Sequence, residues 1–431
     1  MNRWIESSTA LVLATVLFAA QAQTLPPEIP DVPGPGVGDA PATQKHLRVV
    51  GRMELDQLAD AQRYSDHLNT QRLVGDLRVE GQPAPSVTFR LSDRLEWLAN
   101  PPAGQAQMLN IVREFHVSDT LPWDLQGGLC GVDAGRVNWK LGNSLWYSPL
   151  DYFKRNASVS TAAMTPASIR ENRLGTVMLR AQCDSGVNVV QAAFVPRMRK
   201  DRSFDKSGTS LGLDRTNPED AVIVRGSRTL AEGSTAEVSM LYRDAEGSTV
   251  GVGLSQLFGD SVVMGLDIAN APALSAADGH SFGHRATRAA LSLAWTIPSG
   301  PTLTLEMFHQ QDAYGADGWN ALRGSGGNAP SPAFISYVVS RSGLQDLPTR
   351  TSYFAMLNWL RAFDNPNYEL LSAVSWNPYD GSHYLEASAT WHIGASNSLQ
   401  FLLERNQGTS HTQYGITPIK TAATLAWMLH F

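Results

Sequence analysis

The sequence predicts an all-β protein that closes as a transmembrane antiparallel β-barrel of about 16–18 strands, with one loop folded inward as a constriction. Three observations carry that expectation. From about Arg72 to the C-terminus, short segments place apolar residues at every second position, the period of a strand and not of a helix. These segments run to roughly 9–13 residues, the length at which a tilted strand crosses a bilayer. The linkers between them alternate tight turns with long polar loops, as the two rims of a barrel do.

At the N-terminus, MNRWIESSTALVLATVLFAAQAQ sets Arg3 before an apolar run from Ala10 to Ala20 and a small-x-small site at Ala20–Ala22. This is the layout of a cleaved export signal over residues 1–22, and the run falls short of the ~20 residues a spanning helix needs. Residues 23–47 are dense in proline and glycine and read as an extended periplasmic tether. Their GPGVGDA is no phosphate loop, because no strand leads into it and no Lys-Ser/Thr follows. The barrel is expected over 48–431, with MELDQLADAQRYSDHLN (53–69) as a short helix before the first strand.

Charged residues interrupt every long apolar window, which excludes a helical membrane protein. A net charge of −6 without a basic face opposes nucleic-acid binding. Cys130 and Cys183 are a disulfide candidate in an exported chain, although two unpaired thiols fit the sequence as well.

In the second half the faces can be assigned. AEVSMLY sets Ala236, Val238, Met240 and Tyr242 against Glu237, Ser239 and Leu241, and SVVMGLDI sets Val262, Met264, Leu266 and Ile268 against Gly265 and Asp267. YLEASATWHI and LQFLLER alternate in the same way. Tight turns are expected at DAEGS (244–248), FGDS (258–261), PSGP (298–301), DNPN (364–367) and GASNS (394–398), and long loops at 198–220, 270–285 and 312–349. Trp295, Trp359, Trp376, Trp391 and Trp427 fall toward strand ends, where membrane interfaces favour them. The chain finishes on TAATLAWMLHF, with Leu425, Trp427, Leu429 and Phe431 at alternate places. This ending resembles the C-terminal signature of Gram-negative outer-membrane β-barrels. The resemblance implies an outer-membrane location among lipids, a last strand that closes the barrel, and recognition by the barrel assembly machinery.

One region breaks the period of two. Between roughly Gly142 and Glu171 the chain is rich in Ser, Asn, Thr and Pro, yet Trp146, Tyr147, Tyr152 and Phe153 make it too aromatic for disorder. It is expected to fold into the lumen. Arg136, Lys140, Lys154, Arg155, Arg170 and Arg173 make the section locally basic, while Glu237, Asp267, Glu306, Glu369, Glu386 and Glu404 make the later lumen face acidic in places. Opposed linings set a field across a narrow pore and select hydrated solutes, unless the charges pair with one another and hold the loop. The stretch 135–182, with GRVNW, the aromatic loop and RENRLG, resembles large outer-membrane barrels of the alginate-export type at the level of layout. That resemblance implies export of an anionic exopolysaccharide through an eighteen-stranded pore, with Arg136, Lys140, Arg155, Arg170 and Arg173 meeting polymer carboxylates.

Enzyme signatures are missing: there is no GxSxG, HExxH, CxxC or phosphate loop. His280 and His284 are four apart but lie in a Gly- and Asp-flanked loop, so no metal site is expected, nor any cofactor. The sequence-level expectation is an outer-membrane channel for hydrophilic, anionic solutes or an exopolysaccharide. The competing expectations are a surface adhesin or assembly scaffold with a shut lumen, and a lipid hydrolase.

Overall fold

The computed structural model describes residues 47–62, 68–101, 106–125, 128–157, 173–198, 213, 215–273, 284–298, 300–324, 330–343 and 346–431. The export signal, most of the tether and Arg170 lie outside the described residues.

Eighteen strands follow one another around a single sheet. They are β1 (Leu47–Gln62), β2 (Leu68–Ala84), β3 (Val87–Leu98), β4 (Met108–Leu125), β5 (Gly128–Val137), β6 (Thr176–Asp184), β7 (Asn188–Val195), β8 (Ala221–Ala231) and β9 (Ser234–Arg243), then β10 (Gly247–Phe258), β11 (Val262–Pro272), β12 (Arg285–Thr296), β13 (Thr302–Gln310), β14 (Thr351–Leu360), β15 (Tyr368–Trp376), β16 (His383–Ile393), β17 (Asn397–Gln407) and β18 (Ile419–His430). Every neighbour pair is antiparallel, and β18 pairs with β1 from Arg52↔His430 to Gln62↔Ile419, so the sheet closes and has no edge. Eighteen resolves the expected range at its upper end.

The expected helix at 53–69 is instead the body of β1 and the start of β2. Its Leu, Ala, Gln and Asp content suits a helix, but period two decides: Glu54 and Asp56 face the lumen while Leu55 is exposed on the outside. The same division runs around the barrel. Leu73, Leu95, Phe115, Val224, Met240, Leu305 and Leu403 lie exposed on the outer face. The inner face carries Arg72, Asp76, Arg94, Glu237, Asp267 and Glu306. An apolar exterior around a polar interior inverts a soluble core and suits a barrel in lipid.

Both chain ends of the barrel lie on one rim, together with the short turns that join β2 to β3, β8 to β9, β10 to β11 and β16 to β17. The other rim carries the long connections. The turn at 244–246 belongs to that second rim despite its shortness, so the expected alternation of tight and long linkers fails there. The connection from β13 to β14 forms α1 (Ala316–Arg323) and α2 (Pro332–Gly343). Trp319 and Phe334 pack edge-on at 5.2 Å, and Trp319 Nε1 donates to Asp380 in the next loop at 3.1 Å. Arg323 Nε donates to the His411 carbonyl at 2.6 Å, which ties three loops into one cap.

At the seam, the Gly51 and Phe431 backbones exchange hydrogen bonds of 2.8 and 3.0 Å. The Phe431 ring lies where a Cβ on Gly51 would be, 2.2 Å from its nearest ring atom, so only glycine admits it.

Candidate functional site: the inner loop and the charged wall

Residues 138–175 join β5 to β6, and their described parts lie inside the barrel against β7 to β15. Leu150, fully buried, packs with Ile223 and Leu241, which are lumen-facing but apolar. Trp146 stacks on Phe354 at 5.3 Å, and Tyr147 meets Phe308 edge-on at 5.4 Å. The wall beneath has been cleared for the loop. A Cβ at Gly251 would stand 2.2 Å from Tyr152 Oη and 2.4 Å from Leu150 Cδ2, and one at Gly265 would stand 2.6 Å from Asn143 Cβ.

Two carboxylates clasp the loop backbone. Asp267 accepts from Asn143 N at 2.8 Å, Asn143 Nδ2 at 2.7 Å, Ser144 N at 3.3 Å and Ser148 Oγ at 2.7 Å. Glu306 accepts from the amides of Leu145 and Trp146. A loop that leaves its own secondary structure must satisfy its N–H groups elsewhere, and these two side chains supply the acceptors.

The basic residues of the section are placed as follows. Arg136 is buried and donates to the Gly175 carbonyl at 2.9 Å and the Val112 carbonyl at 2.8 Å. The preceding Gly135 has a φ of 130°, a backbone conformation that only glycine adopts readily, while the pairing of β5 with both neighbours continues in register through it. Arg173 pairs with Asp151 at 2.6 Å, Arg155 pairs with Glu246, and Lys140 Nζ donates to the Leu145 carbonyl at 3.1 Å. Lys154 lies 3.5 Å above the Tyr147 ring and 4.0 Å from Asp346, which links the inner loop to the outer cap. Burial lowers its ammonium from the usual 10.5 to about 8. Of the acidic residues, Glu237 pairs with Arg225, and Tyr384 Oη lies 2.9 Å from Glu386 and 2.6 Å from Glu404. Glu369 pairs with His392 at 3.0 Å. Cys130 and Cys183 oppose each other across β5 and β6 and are joined as a disulfide.

The sequence reading missed the opposite wall. On β1 to β4, Arg52 pairs with Asp76 at 2.7 Å, Arg72 with Asp56 at 2.5 Å and Glu54 at 3.3 Å, Arg113 with Asp76 at 2.9 Å, and Arg90 with Glu80 at 2.8 Å. Their signal was present: 52, 54 and 56, and 72, 76, 78 and 80, are charged at alternate places opposite Leu55, Leu73 and Leu77. In the pairs made by Arg52 and Arg72 the guanidinium is the more exposed partner: Arg72 is 17% exposed against 1% for Asp56, and Arg52 21% against 10% for Asp76, whereas Arg113 and Arg90 are slightly less exposed than their carboxylates.

No protein-family model matches the sequence, and no curated protein is significantly similar to it. Solved structures match it in shape. OccAB4 of Acinetobacter baumannii superposes with a TM-score of 0.54 at 11% identity, covering 91% of this chain and 100% of that one. OccAB1 of the same organism gives 0.53 at 10% identity over 89% and 96%, and OccK5 (OpdH) of Pseudomonas aeruginosa gives 0.52 at 8% over 89% and 98%. At these identities the likeness is one of fold: the chain is an eighteen-stranded β-barrel of the outer-membrane type.

Proposed function

We propose that this protein is a Gram-negative outer-membrane channel that passes small hydrophilic solutes and favours anionic ones. The observation that carries this reading is the asymmetry of the Arg52 and Arg72 ion pairs on β1 and β2: their guanidiniums are more exposed in the lumen than the carboxylates that compensate them, so a solute there meets guanidinium edges. The buried carboxylates keep the wall folded, and the outer guanidiniums set the potential. A polysaccharide would have to displace the inner loop from its six acceptor contacts on Asp267 and Glu306, which favours a small solute. The export signal and the C-terminal aromatic strand support delivery to the outer membrane through the barrel assembly machinery.

The test is single-channel conductance of refolded protein in planar bilayers under a salt gradient. The intact chain should conduct with anion preference, Arg52→Gln with Arg72→Gln should weaken that preference, and deletion of residues 145–168 should raise conductance. Folded, inserted protein that conducts in neither form would sink the channel and favour a scaffold with a shut lumen.

A further inference from the structure

We propose that the outer face of β11 to β16 seats one acyl chain of an anionic, phosphate-bearing membrane lipid in a fixed trench whose headgroup end is marked by Arg405. The trench has a volume of about 670 Å³ and is lined almost wholly by apolar side chains. Strand register shows why it is a trench and not a scatter of hollows. Met264, Leu293, Leu305, Ala355, Val374 and Leu385 are successive cross-strand partners, forming one unbroken row across six strands. Ala355 and Val374 give the row a low floor. Beside them the next row rises as Met307 and the Tyr353–Trp376 pair, whose rings stack at 5.4 Å.

Length and charge select the occupant. Five strand spacings at ~4.8 Å make the row ~24 Å long, and with strands tilted about 45° it descends ~17 Å through the bilayer. One leaflet of a ~30 Å hydrocarbon core is ~15 Å deep, so the trench matches one acyl chain running from interface to midplane. The row starts low on β11, at Met264, and ends high on β16, at Leu385, beside the loop rim. The residue paired with Leu385 on β17 is Arg405, exposed on the outer face and without an ion pair among the described residues. His383, in the adjoining row, holds Gln407 at 3.1 Å, so the polar groups gather at the one end where a headgroup would sit. A guanidinium at that depth suits a phosphate, which it can hold with two hydrogen bonds.

Native mass spectrometry of the full chain tests this, after equilibration with mixed micelles of detergent and either phosphatidylglycerol or phosphatidylcholine. Wild type should retain one phosphatidylglycerol per barrel and at least tenfold less phosphatidylcholine. Ala355→Trp, which fills the floor from outside, should lose it. Arg405→Gln should bring phosphatidylglycerol down to the phosphatidylcholine level. Heat-modifiable migration and unchanged conductance would show that each variant is folded, since neither position faces the lumen. Equal retention of the two lipids by wild type, or undiminished phosphatidylglycerol on Ala355→Trp, overturns the proposal. So do wild-type dimers that Ala355→Trp dissolves, because a second copy of the chain would then fill the trench.

Discussion

Asp267→Ala asks whether the inner loop is held in the lumen by acceptors on the wall. The carboxylate receives four hydrogen bonds from Asn143, Ser144 and Ser148. Bonds to a charged acceptor contribute about 1.5 kcal/mol or more each, so the gross loss approaches ~6 kcal/mol; water entering the gap and non-additivity bring the working figure to about 3–6 kcal/mol. At 1.4 kcal/mol per tenfold, the undocked fraction of the loop rises by roughly 10²–10⁴. The strands do not depend on these bonds, so the barrel should persist as a heat-modifiable species. Single-channel records should show larger and noisier conductance, and limited proteolysis should cut the chain between residues 140 and 157, which the wild type protects. If Asp267→Ala conducts as the wild type does and resists cleavage there, the apolar contacts of Leu150, Trp146 and Tyr147 hold the loop alone and the clasp argument fails.

Further expectations follow from neighbouring contacts. Gly251→Leu would drive a side chain into Tyr152 and Leu150; it should destabilise the docked loop by about 1–3 kcal/mol and raise conductance, while Gly75→Ala, with nothing within 4 Å, should do neither. Lys154 holds its proton less tightly in the lumen, near pH 8, than in the unfolded chain, near 10.5. The unfolded chain therefore binds the extra proton across that window, and stability should rise with pH through it. The lumen loses a positive charge as pH passes 8, so anion preference measured by reversal potential should fall there, and Lys154→Met should remove the step. Phe431→Ala strips the ring from over Gly51, removing about 1–2 kcal/mol of apolar burial at the seam. Refolding into lipid vesicles, followed by gel migration, should show slower closure with the other seventeen strand pairs intact.

Period two made the barrel legible, because lipid outside and water inside impose opposite demands on alternate residues of every strand. Where it failed, a competing signal was locally stronger. Residues 53–62 offered good helix formers, and only their partners on β18 and β2 make them a strand. Arg136 looked like a lumen contact on charge alone. Its actual partners are the carbonyls of Val112 and Gly175, beside Gly135, whose positive φ departs from regular strand geometry in a way composition does not announce. Asp267 and Glu306 were legible as inward-facing but not as clasps, because the amides they hold are more than 110 residues away in the chain.

The placement of the loop explains how the lumen wall is divided. Where the loop lies, inward positions are small or apolar: Gly251, Gly253, Gly265, Ala269, Ala290, Ile223 and Leu241. Where it does not lie, on β1 to β4, inward positions are long and charged. A side chain covered by the loop loses its water, so charge there is compensated, by loop N–H groups at Asp267 and Glu306 and by a paired guanidinium at Glu237. On β1 to β4 the charges are held mainly by one another, Arg72 against Asp56 and Glu54, Arg52 and Arg113 against Asp76, so each partner offsets the other's burial. The two linings should therefore respond differently to substitution. Gly251→Arg on the covered half should expel the loop, whereas Arg72→Gly on β2 should weaken the wall around Asp56 and Glu54 yet leave the loop docked. Protease protection of 140–157 that survives Gly251→Arg would refute this division of the wall.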